Sequence, residues 1–108
     1  MNSKLFRGSL DTIVLKLLRD NGKMYGYQIA KEVKLISEGR FNITEGSLYP
    51  ALHKLERKGY LDTEFERVDN RTRKYYRLST NGKTAVKEEI KEMKSFLTGL
   101  SLIVNPNN

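Results

Sequence analysis

The stretch Ile43–Gly59, ITEGSLYPALHKLERKG, constrains the fold more than any other part of the chain. Leu48, Leu52 and Leu55 recur at spacings of four and three, the period of a helix with one apolar face. Thr44 is suited to accept from the free amides at the start of such a helix. Gly59 suits the left-handed residue that follows one, with Arg57 and Lys58 at the negative end of the dipole. Glu45, Ser47, Tyr49, Pro50, His53 and Lys54 fall on the opposite face. Short donors and acceptors near the N-terminus, with an aromatic hydroxyl and a cation further along, suit insertion into a DNA major groove. Pro50 leaves two readings open: the helix starts near Ser47, making the proline first-turn, or it starts at Thr44 and bends. The second is preferred.

The segments before this helix supply its partners. Residues 1–8 read as a short arm ending at Arg7-Gly8. Ser9 is placed to cap a helix in which Leu10, Ile13, Val14, Leu17 and Leu18 form a core-facing stripe, with Asp11 in its first turn. Asn21-Gly22 terminates it. Tyr25-Gly26-Tyr27 leads a second helix, with Tyr27, Ala30, Val33 and Ile36 expected inward and Gln28, Lys31 and Lys34 outward. Residues 37–40 form the connection. Two helices and a link before a groove-reading helix make a helix-turn-helix.

After Gly59 the period changes from helical to alternating. Leu61, Thr63 and Phe65 share one strand face and Asp62, Glu64 and Glu66 the other. On the return strand Tyr76 and Leu78 face one way, Tyr75 and Arg77 the other, and residues 68–72 carry the turn. A two-stranded hairpin here is a wing. Its loop and return strand hold Arg67, Arg71, Arg73, Lys74 and Arg77 against only Glu66 and Asp69, where a wing would lie along a phosphate backbone.

From residue 79 or 80 a long helix begins. Val86, Ile90, Met93, Leu97, Leu100 and Val104 make a heptad seam with more apolar surface than a small domain can cover alone, so a homodimer is expected through these six residues. The expected fold is mainly α with a small β-hairpin: a winged helix-turn-helix over residues 1–79, a dimerisation helix over 80–104 and a flexible tail over 105–108.

Composition narrows the function. Lys and Arg number 20 against 13 acids, a net charge of +7, which favours an anionic partner such as double-stranded DNA. Cysteine is absent and there is one histidine, which excludes thiolate chemistry and sites needing several imidazoles. The glycines are too scattered for a phosphate-cradling loop. Glu88, Glu89 and Glu92, interleaved with Lys87, Lys91 and Lys94, read as ion-pair partners on a helix face. No enzyme, cofactor or metal is expected. No apolar run approaches the roughly 20 residues of a membrane span, and no signal pattern opens the chain, so the expected location is the cytoplasm.

The segments Tyr25-Gly26-Tyr27-Gln28-Ile29, Gly46-Ser47-Leu48-Tyr49-Pro50-Ala51-Leu52, Leu55-Glu56 with Gly59, and Arg73-Lys74-Tyr75-Tyr76-Arg77-Leu78 occur in the order found in the PadR family of bacterial transcription regulators, which this chain resembles from about Leu5 to about Leu102. The resemblance implies a two-fold dimer that represses from operator DNA, of the short type with a single C-terminal helix. It puts Tyr49 and the early part of its helix at the DNA, Tyr25 and Gly26 near a phosphate, and the Arg73–Tyr75 segment at the wing. The DNA set is then Tyr25, Gly26, Thr44, Glu45, Ser47, Tyr49, Pro50, His53, Lys54, Arg71, Arg73, Lys74 and Tyr75. Some relatives take a small aromatic effector between their C-terminal helices, where Met93 and Phe96 stand here. The tryptophan that would stack on it is absent. A winged-helix module whose basic face meets an acidic protein partner is the alternative.

Overall fold

In the computed structural model, which describes residues 4–105, the leucines of the reading helix lie at the centre of the core: Leu48, Leu52 and Leu55 are all buried. Around them the chain forms α1 (Lys4–Gly8), α2 (Leu10–Asn21), β1 (Lys23–Tyr25), α3 (Gly26–Ile36), α4 (Glu45–Arg57), β2 (Leu61–Val68), β3 (Arg71–Leu78) and α5 (Thr80–Val104). Three helices pack on one antiparallel sheet of order β1-β3-β2, and α5 crosses α2 before running on. This is a winged helix-turn-helix. No helix of the described residues is long and apolar enough to cross a membrane. Met1–Ser3 and the tail beyond Asn105 lie outside the described residues.

The structure departs from the sequence reading at several points. The expected arm is a helix, α1, whose Phe6 is buried and stacks on Phe41 with ring centroids 4.6 Å apart. At five residues it is too short to show a period. Ser9 stands at the cap of α2, but its hydroxyl donates back to the Leu5 carbonyl at 2.9 Å. Residues 23–25 are a strand. Lys23, Met24 and Tyr25 pair with Arg77, Tyr76 and Tyr75, which makes β3 central and lets Met24 and Tyr76 cover one another in the core. That strand sets the start of α3 at Gly26, so its inward stripe is Gly26, Ile29 and Val33, with Ala30 partly covered. Tyr27 (67% exposed) and Ile36 point outward, against the expected pattern. Finally, the wing turn is tighter than residues 68–72. Val68 pairs with Arg71, leaving Asp69 and Asn70 at φ 50° and 62°, the two left-handed residues of a hairpin turn that matches strand twist.

One junction ties the wing, α4 and α5 together. The Tyr60 amide donates to Leu55 O and Gly59 N to Glu56 O, both at 3.0 Å, closing α4 with Gly59 at φ 80°. The Tyr60 carbonyl then accepts from Ser79 N at 3.0 Å. The Ser79 hydroxyl donates to Gly59 O at 2.5 Å and caps α5 by accepting from Gly82 N at 3.0 Å.

Val86 is fully buried in the chain's own core and Ile90 packs against that core. Val86 therefore cannot be at an interface, as the heptad pattern alone suggested. The first turns of α5 repeat with the same period as the seam because they bury against α2.

Candidate nucleic-acid interface

The reading helix begins as its sequence implies. Thr44 is extended at the cap and its hydroxyl accepts from Ser47 N at 3.2 Å, while donating to the Ser47 hydroxyl at 3.1 Å. Glu45 is exposed in the positive first turn. The helix continues through Pro50, so the proline is interior. It costs the Gly46 carbonyl its amide partner, which water can replace because both residues are exposed.

The exposed face of α4 divides. One flank, with Tyr49 and His53, opens into a cleft of about 360 Å³ lined also by Tyr25, Gly26, Thr72, Arg73, Lys74 and Tyr76. Three elements far apart in sequence thus meet: the start of α3, the reading helix and the base of the wing. Gly26 gives the Tyr49 ring room there: a Cβ would stand 2.7 Å from the Tyr49 hydroxyl oxygen, so that side chain would have to swing away. Tyr25 donates its amide to Gln28 Oε1 at 3.1 Å, closing the start of α3. The Arg73 guanidinium lies 4.5 Å from the centroid of the Tyr25 ring. Lys74 Nζ is 3.3 Å from Glu56 Oε1 on α4 and 5.2 Å from the Tyr76 centroid. Burial pushes the Tyr76 hydroxyl pKa up, opposed by the Lys74 ammonium beside it. Six of the residues expected at DNA line this cleft: Tyr25, Gly26, Tyr49, His53, Arg73 and Lys74. Thr72 and Tyr76 line it too, and nothing local in the sequence marks them for that role.

The other flank, with Gly46, Ser47, Pro50 and Lys54, borders a shallower depression of about 280 Å³ shared with Arg7 and Asp11. Lys54 is paired there, its Nζ 2.6 Å from Asp11 Oδ2 on α2. Tyr75 is away from the cleft. It stands on the outer sheet face between Tyr25, edge-on with centroids 5.4 Å apart, and Lys23, 5.1 Å above its ring. Lys23 also pairs with Glu64 and Glu66, and Arg77 with Glu64. At the wing tip, Arg67 and Arg71 are exposed and form no ion pair among the described residues. The cations most available to an anion are therefore those at the tip.

Behind α4, one Glu89 carboxylate oxygen is buried with no hydrogen-bond partner among the described residues. Its burial raises the Glu89 pKa, Asp11 and Glu92 add to the rise, and Lys58 and Lys54 oppose it. A carboxyl whose folded pKa is raised destabilises the fold once ionised. The penalty is absent below the ordinary value of 4.5, grows as pH rises above it and is complete once pH has passed the raised folded value. Glu89→Gln should therefore raise the thermal midpoint at pH 7, with the gain vanishing as pH falls toward 4.5. A gain that persists in acid would assign the effect to packing.

Beyond Ile90, α5 carries Met93, Phe96, Leu97, Leu100, Ile103 and Val104 along one stripe; Leu97 is 54% exposed and Ile103 78%. Phe96 and Ile103 extend the seam read from the heptad.

Residues 14–88 match the family described as transcriptional regulator PadR-like. The chain is 32% identical over 83 residues to a transcriptional regulator of Mycobacterium tuberculosis, covering 77% of this chain and 74% of that one. A transcriptional regulator from Clostridium thermocellum has a similar structure, with a TM-score of 0.86 at 30% identity over 97% of this chain and 99% of that one. A PadR family transcriptional regulator from Eggerthella lenta aligns with a TM-score of 0.78 at 29% identity, over 96% and 88%. With its winged helix, its aromatic and cationic cleft and these relatives, the chain belongs to the PadR-like family of transcriptional regulators.

Proposed function

We propose that the protein is a cytoplasmic homodimer that binds a pseudo-palindromic operator and represses transcription, without catalysing a reaction. The observation that carries this reading is the cleft, which sets the exposed face of α4 beside the start of α3 and a cationic wing base. In this reading α4 enters the major groove with Glu45, Ser47, Tyr49, Pro50 and His53 toward the DNA, and Thr44 holding the helix start. The starts of α3 and α4 offer their amides to phosphates. Arg67 and Arg71 at the wing tip follow the flanking backbone. The apolar stripe of α5 pairs with that of a second copy and sets the half-sites about 34–36 Å apart, or a multiple of that. Met93 and Phe96, three residues apart on the stripe, offer a thioether and a ring to a small aromatic effector that releases the DNA.

The test is fluorescence anisotropy on the protein's own upstream DNA and on a scrambled duplex over a range of salt. One dimer bound tightly to the first and weakly to the second is expected. Arg71→Ala should weaken both duplexes alike and reduce the salt slope by about one. Equal, weak binding that disappears with salt would leave only charge and sink the operator reading.

A further inference from the structure

The cations of the wing are held in different ways, and Lys74 stands apart from the rest. On β3 the alternation places Thr72, Lys74, Tyr76 and Leu78 on one face, and Tyr76 and Leu78 of that set are buried. The Lys74 stem therefore leaves on the core side of the strand, toward α4. The side chain is 31% exposed, and its ammonium lies over the Tyr76 ring and meets Glu56 Oε1 at 3.3 Å. Among the described residues this is the only ion pair joining α4 to the wing.

Its position along the strand matters. β1 pairs with β3 only from Tyr75 to Arg77. Lys74 is the first residue beyond that support, and from there to the Asp69-Asn70 turn the hairpin has two strands and no third. A two-stranded ribbon is marginal by itself and twists strongly. The Glu56–Lys74 pair clamps it at the point where it becomes free to swing against the reading helix. Half-buried and charge-assisted, such a pair holds its geometry better than an exposed one.

We propose that Glu56 and Lys74 form a brace that sets the angle of the wing to α4, and that Lys74 is a positioning residue that touches no phosphate. This rests on the DNA-binding reading above. Without the brace, Arg67 and Arg71 at the tip no longer reach the backbone while α4 sits in its groove.

The test is a charge swap, with each variant checked for fold by circular dichroism and for assembly by sedimentation. Glu56→Lys and Lys74→Glu should each weaken binding to the upstream duplex by roughly tenfold, and the double variant should regain most of the loss. Direct phosphate contact predicts the opposite, because the swap leaves a carboxylate facing the phosphate. Lys74→Gln and Glu56→Gln, the milder changes, should both weaken binding and lower the salt slope alike, because either one releases Arg67 and Arg71 from the backbone although Glu56→Gln removes no cation. A slope lowered by about one in Lys74→Gln with Glu56→Gln binding as the wild type does, or a swap that stays weak while the wild type binds well, overturns the brace and makes Lys74 a phosphate contact. A wild type with no preference for its own DNA would instead overturn the reading on which the brace rests.

Discussion

Gly82→Ala should cost on the order of 3 kcal/mol, although alanine is the better helix former. In an exposed helix the exchange gains up to about 1 kcal/mol from propensity. At Gly82 the added Cβ would stand 2.1 Å from the Tyr60 carbonyl oxygen and 3.3 Å from Leu78 Cδ2. The oxygen has little freedom to withdraw. It accepts from Ser79 N, the Tyr60 amide is committed to Leu55 O, and the Ser79 hydroxyl spans Gly59 O and the first turn of α5. Moving it would loosen the end of α4, the start of β2 and the cap of α5 together. At about 4–8 °C per kcal/mol for a domain of this size, the thermal midpoint should fall by more than ten degrees. An unchanged or raised midpoint would mean that α5 shifts off Tyr60 without strain.

Replacing Leu97 and Leu100 together by Glu should convert the proposed dimer into a folded monomer. Both lie on the α5 stripe, 54% and 36% exposed, beyond the residues that pack on the core. The isolated chain therefore loses little packing, and its helical signal should persist. In a two-fold seam each substitution appears twice, placing four carboxylates in apolar surroundings that could not hold them ionised. Operator affinity should drop by about 10²–10⁴-fold, since the second half-site loses the effective concentration that the linked partner supplies. Sedimentation would show the monomer directly. A dimer that survives the double change would place the interface elsewhere, on the exposed Leu5, Leu35 or Ile36 for example.

The candidate site is partly legible in the sequence. Thr44, Tyr49 and His53 could be placed because α4 keeps one period for three turns, so its outer face follows from its inner one. Arg71 and Arg73 stood out through the excess of cations in the loop and return strand of the hairpin. Lys54 and Tyr75 show where that reasoning ends. Each is on the outward face of its own element, as expected, yet Lys54 is taken up by Asp11 and Tyr75 is covered by Tyr25 and Lys23. Whether an outward side chain meets solvent depends on a neighbour that its own segment does not reveal.

The elements with a sustained pattern, α2, α4, the hairpin and α5, could be read along the chain, together with the Thr44 cap and the end of α4 at Gly59. A period is set by neighbours two, three or four residues away, so a window along the chain contains it. Contacts between distant segments settled what short range cannot encode. The three residues of β1 have no period of their own and become a strand because β3 offers them an edge. Val86 and Leu97 repeat alike on α5, yet α2 covers one and leaves the other exposed. Gly82 and the Glu56–Lys74 pair draw their roles from contacts made across the fold, where packing distance, and no local preference, selects the residue.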